Sequence, residues 1–146
     1  KDAVNASMLI CQMARWYKAQ GKTLYQAMQE LYQKYGYHLN TLYSFTFEGA
    51  AGMEKMQSIM TKLRTERVEA LGGLTVARLV DYKQEGTGLP KADVLAFELM
   101  GGCKVMVRPS GTEPKLKAYL FSRGADKAEA EDTEQKLHQG LTELLK

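Results

Sequence analysis

The sequence predicts an α+β fold: a helical hairpin, then an antiparallel sheet of four to five strands with two helices on one face. Three observations predict it. Apolar residues recur at helical spacing from Asp2 to Tyr35, and the period switches to two at Tyr43. Beyond that point short apolar runs are joined by links too brief for a parallel crossover, so the later strands pair antiparallel.

The chain has 146 residues, 45% hydrophobic and 25% charged, a balance that suits a packed domain and excludes a disordered chain. No apolar run approaches the roughly 20 residues of a membrane-spanning helix. A net charge of +3 is too mild to point to nucleic acid by itself. Cys11 and Cys103 have no second cysteine or histidine at metal-ligand spacing, and read as buried, reduced thiols. With only His38 and His138 in the chain, no histidine-rich metal centre is expected. No signal-peptide pattern precedes the first helix, so a cytoplasmic protein is expected. The chain opens on Lys1 with helical periodicity already under way, which reads as a piece of something longer.

Asp2 is a suitable cap for a first helix carrying Val4, Met8, Cys11, Met13 and Tyr17, with Gly21 as its stop. Thr23 and Gln26 form the T-x-x-Q pattern of a capping box. A second helix follows, with Leu24, Met28, Leu31, Tyr32 and Tyr35 on one stripe, closed by Gly36. Two helices alone bury so many apolar and tyrosine side chains poorly, which implies a neighbour for residues 1–42. A boundary is expected between Gly36 and Tyr43, leaving 43–146 as the second domain.

In that domain Tyr43, Phe45 and Phe47 alternate with polar residues as a first strand. Met53, Met56, Met60 and Leu63 then give a helix to about Thr65. Gly72-Gly73 leads into a strand over 76–82, the polar segment 83–91 loops, and 94–99 is a further strand. Gly101-Gly102 turns the chain into a strand over 104–107, and 116–121 forms the last. Asp126 caps the closing helix, whose Leu137, Leu141 and Leu144 share a face. On that helix Asp132, Glu134 and Glu143 read as a solvated face, and Asp93 and Glu98 as simple surface groups.

The chemistry is concentrated in V-R-P-S-G-T-E-P-K-L-K-A-Y, residues 107–119. Val107 and Leu116 hold this segment to the core, and 108–115 project between two strands. Arg108 offers a planar fork that matches two phosphate oxygens. Ser110 and Thr112 supply hydroxyls, Gly111 permits backbone angles that gather N–H groups into an anion-binding nest, and Pro114 stiffens the exit. Lys115, and secondarily Lys117, add positive potential. The whole reads as a seat for a phosphate dianion, although P-S-G-T is also ordinary turn chemistry, and the residues by themselves leave both readings open. No G-x-x-x-x-G-K-[ST] loop is present, and the two histidines support no Ser-His-Asp or Cys-His arrangement.

R-P-S-G-T-E-P-K closely resembles the phosphate-binding signature of the α-D-phosphohexomutases, in particular the phosphoglucomutase and phosphomannomutase branch. "GLPKADVLAFEL" resembles the strand that precedes it, and "KDAVNAS" with "AQGKTLYQAMQELYQKYGY" resembles the end of that family's third domain. The resemblance covers essentially the whole chain. It implies a TATA-box-binding-protein-like fourth domain over 43–146, preceded over 1–42 by the end of the third domain. It places the substrate-phosphate contacts on Arg108, Ser110, Gly111, Thr112 and Lys115. The implied activity is an intramolecular phosphotransfer on a sugar phosphate, through a phosphoserine, with Mg2+. The family's nucleophile, metal and sugar-recognition loops are absent from these 146 residues, so no catalytic or metal-binding residue is assigned and the chain alone should be inactive. Its expected partners are a sugar phosphate and the other domains of the same protein, with no membrane and no nucleic acid. A small basic nucleic-acid-binding α+β module is the alternative, but the expected run of four strands before the last helix does not fit the β-α-β-β-α-β order of an RNA-recognition fold.

Overall fold

The computed structural model describes residues 2–49 and 51–145. The chain divides into two compact units, residues 1–37 and 38–146. In the first unit α1 (Ala3–Ala19) and α2 (Leu24–Tyr35) form the expected hairpin. Asp2 caps α1 by accepting from the Asn5 amide at 2.9 Å. The capping box of α2 is complete: Thr23 N–H donates to Gln26 Oε1 at 2.8 Å and Gln26 N–H to Thr23 Oγ1 at 3.2 Å. No residue of α1 is buried, and Val4, Met8, Leu9, Ile10, Met13 and Trp16 are all exposed. Cys11 is therefore exposed, against expectation, whereas Cys103 is buried. The helical stripe identifies an apolar face but not what covers it.

The second unit is built on a six-stranded sheet in the order β1-β6-β5-β4-β3-β2, one strand more than the periodicity predicted. Its strands are β1 (Tyr37–Thr46), β2 (Ala70–Leu71), β3 (Leu74–Asp81), β4 (Leu95–Leu99), β5 (Lys104–Pro109) and β6 (Lys115–Gly124). The additional strand, β2, pairs antiparallel with β3 across Gly72-Gly73, whose φ angles of 57° and 80° suit a tight hairpin. Two residues are too few to show a period. β1 also starts earlier than expected, because 37–42 continue its alternation of half-buried and exposed positions.

α3 (Gly52–Thr65) and α4 (Lys127–Leu144) lie over one sheet face, and a single core joins them to it. α3 contributes Met56, Ile59, Met60 and Leu63, and α4 contributes Leu137 and Leu141. The sheet answers with Leu95, Phe97 and Leu99, then Val105 and Val107, then Leu116, Ala118 and Leu120. These fall at every second position, which is what one buried sheet face requires. Asp126 caps α4 as expected, accepting from the Glu129 amide at 2.9 Å. The β2–β3 turn is drawn against α4 at Gly140, where an added Cβ would collide with the backbone of Gly72. No helix among the described residues is long and apolar enough to cross a membrane.

Two polar clusters depart from the surface roles expected of their acids. Glu134 is buried, not solvated, and accepts from Thr41 Oγ1 at 2.7 Å. A hydrogen bond to Glu134, together with burial, pushes the Tyr43 hydroxyl above its usual pKa. Tyr43 also stacks on His138 with ring centroids 3.8 Å apart, so β1 is pinned to α4 by three side-chain contacts. In the second cluster Arg64 of α3 donates to Asp81 at 3.2 Å and also to Asp93, while Lys83 reaches Asp93 at 3.0 Å. Burial works to raise the Asp93 carboxyl, but hydrogen bonds from Arg64 and Lys83 outweigh it and hold the group below the ordinary carboxylate value. Glu98 does stay near the surface, in cross-strand pairs with Arg78 at 2.9 Å and Lys104 at 3.7 Å.

Arg64→Ala should lower the unfolding free energy by about 2 kcal/mol at neutral pH, the scale of charged hydrogen bonds left with one partner. Asp93 is depressed in the fold, so its contribution is fully present above the ordinary aspartate pKa of about 3.9 and is lost as pH falls through the lower folded value. Denaturant unfolding of both proteins from pH 7 to pH 2 should therefore show the gap closing below about pH 4. A gap independent of pH would exclude the ion pairs as its source.

Candidate anion-binding site

Val105, Val107 and Pro109 are buried, so the two-residue period turns Arg108 to the outer face of the sheet. The same alternation buries Leu116 and Ala118 and turns Lys117 outward. The β5–β6 register sets Arg108 directly opposite Lys117 and Pro109 opposite Leu116. Two cations thus face each other across an antiparallel ladder, an unfavourable arrangement unless an anion joins them. Both are exposed, and neither has an ion-pair partner among the described residues.

Between the strands, Ser110 N–H donates to Lys115 O at 2.8 Å and closes the base of the loop. Lys115 N–H donates to Glu113 O at 2.7 Å. Outside this frame the amides of Gly111, Thr112 and Glu113 have no acceptor among the described residues. The Ser110 and Thr112 hydroxyls likewise have no protein partner there. The Arg108 and Lys117 cations, the Ser110 and Thr112 hydroxyls and the amides of Gly111 to Glu113 are thus donors without acceptors among the described residues. Lys115 is different, because its ammonium already pairs with Glu113 at 3.1 Å.

Gly111 does not behave as expected. It is not among the glycines with positive φ, so the left-handed step of a nest is absent and its angles are open to other residues. A Cβ added there would meet nothing within 4 Å. Neither backbone conformation nor protein packing calls for glycine at this position. Two further residues reach the loop that sequence reasoning did not connect with it. The amide of Phe47, just past β1, donates to Pro114 O at 2.9 Å, and Gly52 opens α3 beside Pro114. No spacing rule signals such contacts, since each joins segments more than sixty residues apart. Among the described residues there is no group of three or more His, Cys, Asp or Glu that could hold a metal ion.

The fold is thus an antiparallel α+β domain with two helices on one sheet face and an acceptor-poor polar loop at one sheet end. Residues 48–138 match the family described as phosphoglucomutase/phosphomannomutase, C-terminal domain, and the chain belongs to it. It is 37% identical over 131 residues to a phosphoglucomutase of Staphylococcus aureus (strain bovine RF122 / ET3-1), a match covering 82% of this chain and 24% of that protein. It is 30% identical over 146 residues to a probable phosphomannomutase of Haemophilus influenzae, covering all of this chain and 29% of the relative. The chain thus spans about a quarter of the length of the curated relatives it matches. In fold it is similar to the open form of parafusin, a phosphoglucomutase from Paramecium, with a TM-score of 0.53 at 19% identity over 84% of this chain and 22% of that one.

The three partnerless amides should exchange with solvent far faster than those of Ala96 and Phe97 in central β4. Hydrogen–deuterium exchange on the free chain reads this directly. Comparable protection at Gly111 to Glu113 would mean that the loop's donors already have acceptors.

Proposed function

We propose that this chain is the phosphate-holding end of a sugar phosphomutase of the phosphoglucomutase/phosphomannomutase kind. Arg108, Ser110, Gly111 and Thr112 grip the phosphate that is not transferred, and Lys117 and Lys115 add positive potential. The observation that carries this reading is the facing of Arg108 and Lys117 next to a loop with three amides that have no acceptor among the described residues. A dianion at that place relieves the cation–cation repulsion and satisfies the donors in one step, with charge-assisted hydrogen bonds stronger than neutral ones. Lys115 contributes less to the grip, because Glu113 already holds its ammonium.

In this reading the rest of the mutase carries a phosphoserine that exchanges its phosphoryl group with the sugar. Phosphoryl transfer depends chiefly on positioning and charge stabilisation, and a distant phosphate grip supplies positioning. Magnesium would assist that transfer elsewhere in the longer protein; among the described residues no group of three or more His, Cys, Asp or Glu could hold it. The helical hairpin is the C-terminal end of the preceding domain; the boundary expected at 42 moves back to about Tyr37, because β1 belongs to the sheet of the second unit, and the residues after it are the phosphate-binding domain. The exposed apolar side chains of α1 support this division, since they need a covering partner. A cytoplasmic setting fits an enzyme of sugar phosphates.

The chain alone should bind glucose 1-phosphate weakly and convert none of it. Charge-assisted hydrogen bonds contribute about 1.5 to 3 kcal/mol each, against about 4 kcal/mol or more of lost freedom on association. Three such bonds, less that cost and the ordering of the loop, leave a dissociation constant of roughly a millimolar or weaker. An NMR titration should move the amides of Gly111 and Thr112. Arg108→Ala should abolish most of the response, and Lys115→Ala should reduce it less. Gly111→Ala should leave the unfolding temperature unchanged while weakening binding, since its methyl enters open space that the phosphate needs. Shifts centred elsewhere, or indifferent to Arg108→Ala, would refute the assignment.

A further inference from the structure

We propose that Gly52 is a positioning residue for the anion-binding loop, acting through Phe47 and Pro114; the inference rests on the phosphate-holding reading of that loop. The entry of the loop is held by β5, whose Val107 and Pro109 are buried, and its base is closed by the Ser110–Lys115 hydrogen bond. Its exit is held from outside the hairpin. Pro114 O accepts from Phe47 N–H at 2.9 Å, and this is the contact that joins the loop to the end of β1. Gly52 lies against both sides of that contact. A Cβ built on Gly52 would collide with the Phe47 carbonyl oxygen and lie 3.1 Å from the Pro114 Cβ.

The glycine is there for space. Its φ is not positive, so any residue could adopt its backbone conformation, and it is buried as the first residue of α3. The helix cannot withdraw to make room, because Met56, Met60 and Leu63 further along it are locked in the core. An added side chain must therefore displace the Phe47 peptide or Pro114, the two groups whose hydrogen bond fixes the exit. Gly111, Thr112 and Glu113 lie within three residues of Pro114. Their amides bind an anion only within the narrow distance range of a hydrogen bond, so a shift of the exit is transmitted directly to the grip. Lys55, one turn into α3, places its ammonium 5.7 Å from the centre of the Phe47 ring.

The test uses the whole 146-residue chain, with glucose 1-phosphate as probe and NMR as readout. Gly52→Ala should move the Gly111 and Thr112 amides in the free chain, leave those of Ala96 and Phe97 in place, and raise the dissociation constant by about tenfold. Pro114→Ala keeps the accepting carbonyl but releases the fixed φ that stiffens the loop's exit, so it should weaken binding severalfold with little change in unfolding temperature. If Gly52→Ala fails to fold, Pro114→Ala decides the matter alone. A folded Gly52→Ala chain with a lower unfolding temperature but unaltered affinity would make Gly52 a packing residue only, and unaltered affinity in Pro114→Ala would overturn the clamp. If the unmutated chain shows no Arg108-dependent binding, the phosphate reading itself has failed, an outcome distinct from failure of the Gly52 proposal.

Discussion

The antiparallel pairing of β5 with β6 is the constraint on which the site depends. Side chains in a strand alternate between faces, so burying Val107 and Leu116 decides where their neighbours point. With Pro109 opposite Leu116, Arg108 must meet Lys117 on the outer face. A slip of one residue would bury the arginine and expose the valine. The hydrophobic core thus sets the position of the cations with the same contacts that stabilise the sheet. The cost of their mutual repulsion is carried by that core.

The loop is also tied to the far side of the domain. α4 holds β1 through Glu134, which accepts from Thr41, and through the stack of His138 on Tyr43. β1 leads to Phe47, whose amide holds Pro114, and Gly52 keeps the space in which that contact forms. A series of specific contacts therefore runs from the closing helix, through an edge strand, to the exit of the anion loop. The Arg64 cluster does comparable work elsewhere, fixing α3 to β3 and to the segment after it through Asp81 and Asp93. In these two clusters polar groups act as ties between elements.

Legibility in the sequence followed the range of the interaction. The capping box at Thr23, the cap at Asp126 and the alternating strands are local, and a reader needs only neighbouring residues to find them. β2 was too short to show a period, although Gly72-Gly73 between apolar residues was a hairpin signal that could have revealed it. Glu134 sits at a helical spacing that suits a solvated face, and only the approach of β1 makes it a buried acceptor. Asp93 looked equally ordinary until Arg64 and Lys83 converged on it. The polar loop was conspicuous because its residue types are unusual together, yet the conformation expected of Gly111 was wrong. Gly111 faces open space and Gly52 a close contact with residues distant in sequence, neither of which neighbouring residues reveal.

The most direct test is a crystal structure of the chain grown with saturating glucose 1-phosphate. The phosphate should lie within hydrogen-bonding distance of the Gly111 and Thr112 amides and the Arg108 guanidinium, on the outer face of the β5–β6 hairpin. Lys117 should be turned towards it, and the Phe47–Pro114 hydrogen bond should be intact. A phosphate bound elsewhere, or an empty loop in a crystal that holds the sugar phosphate at another place, would contradict the account.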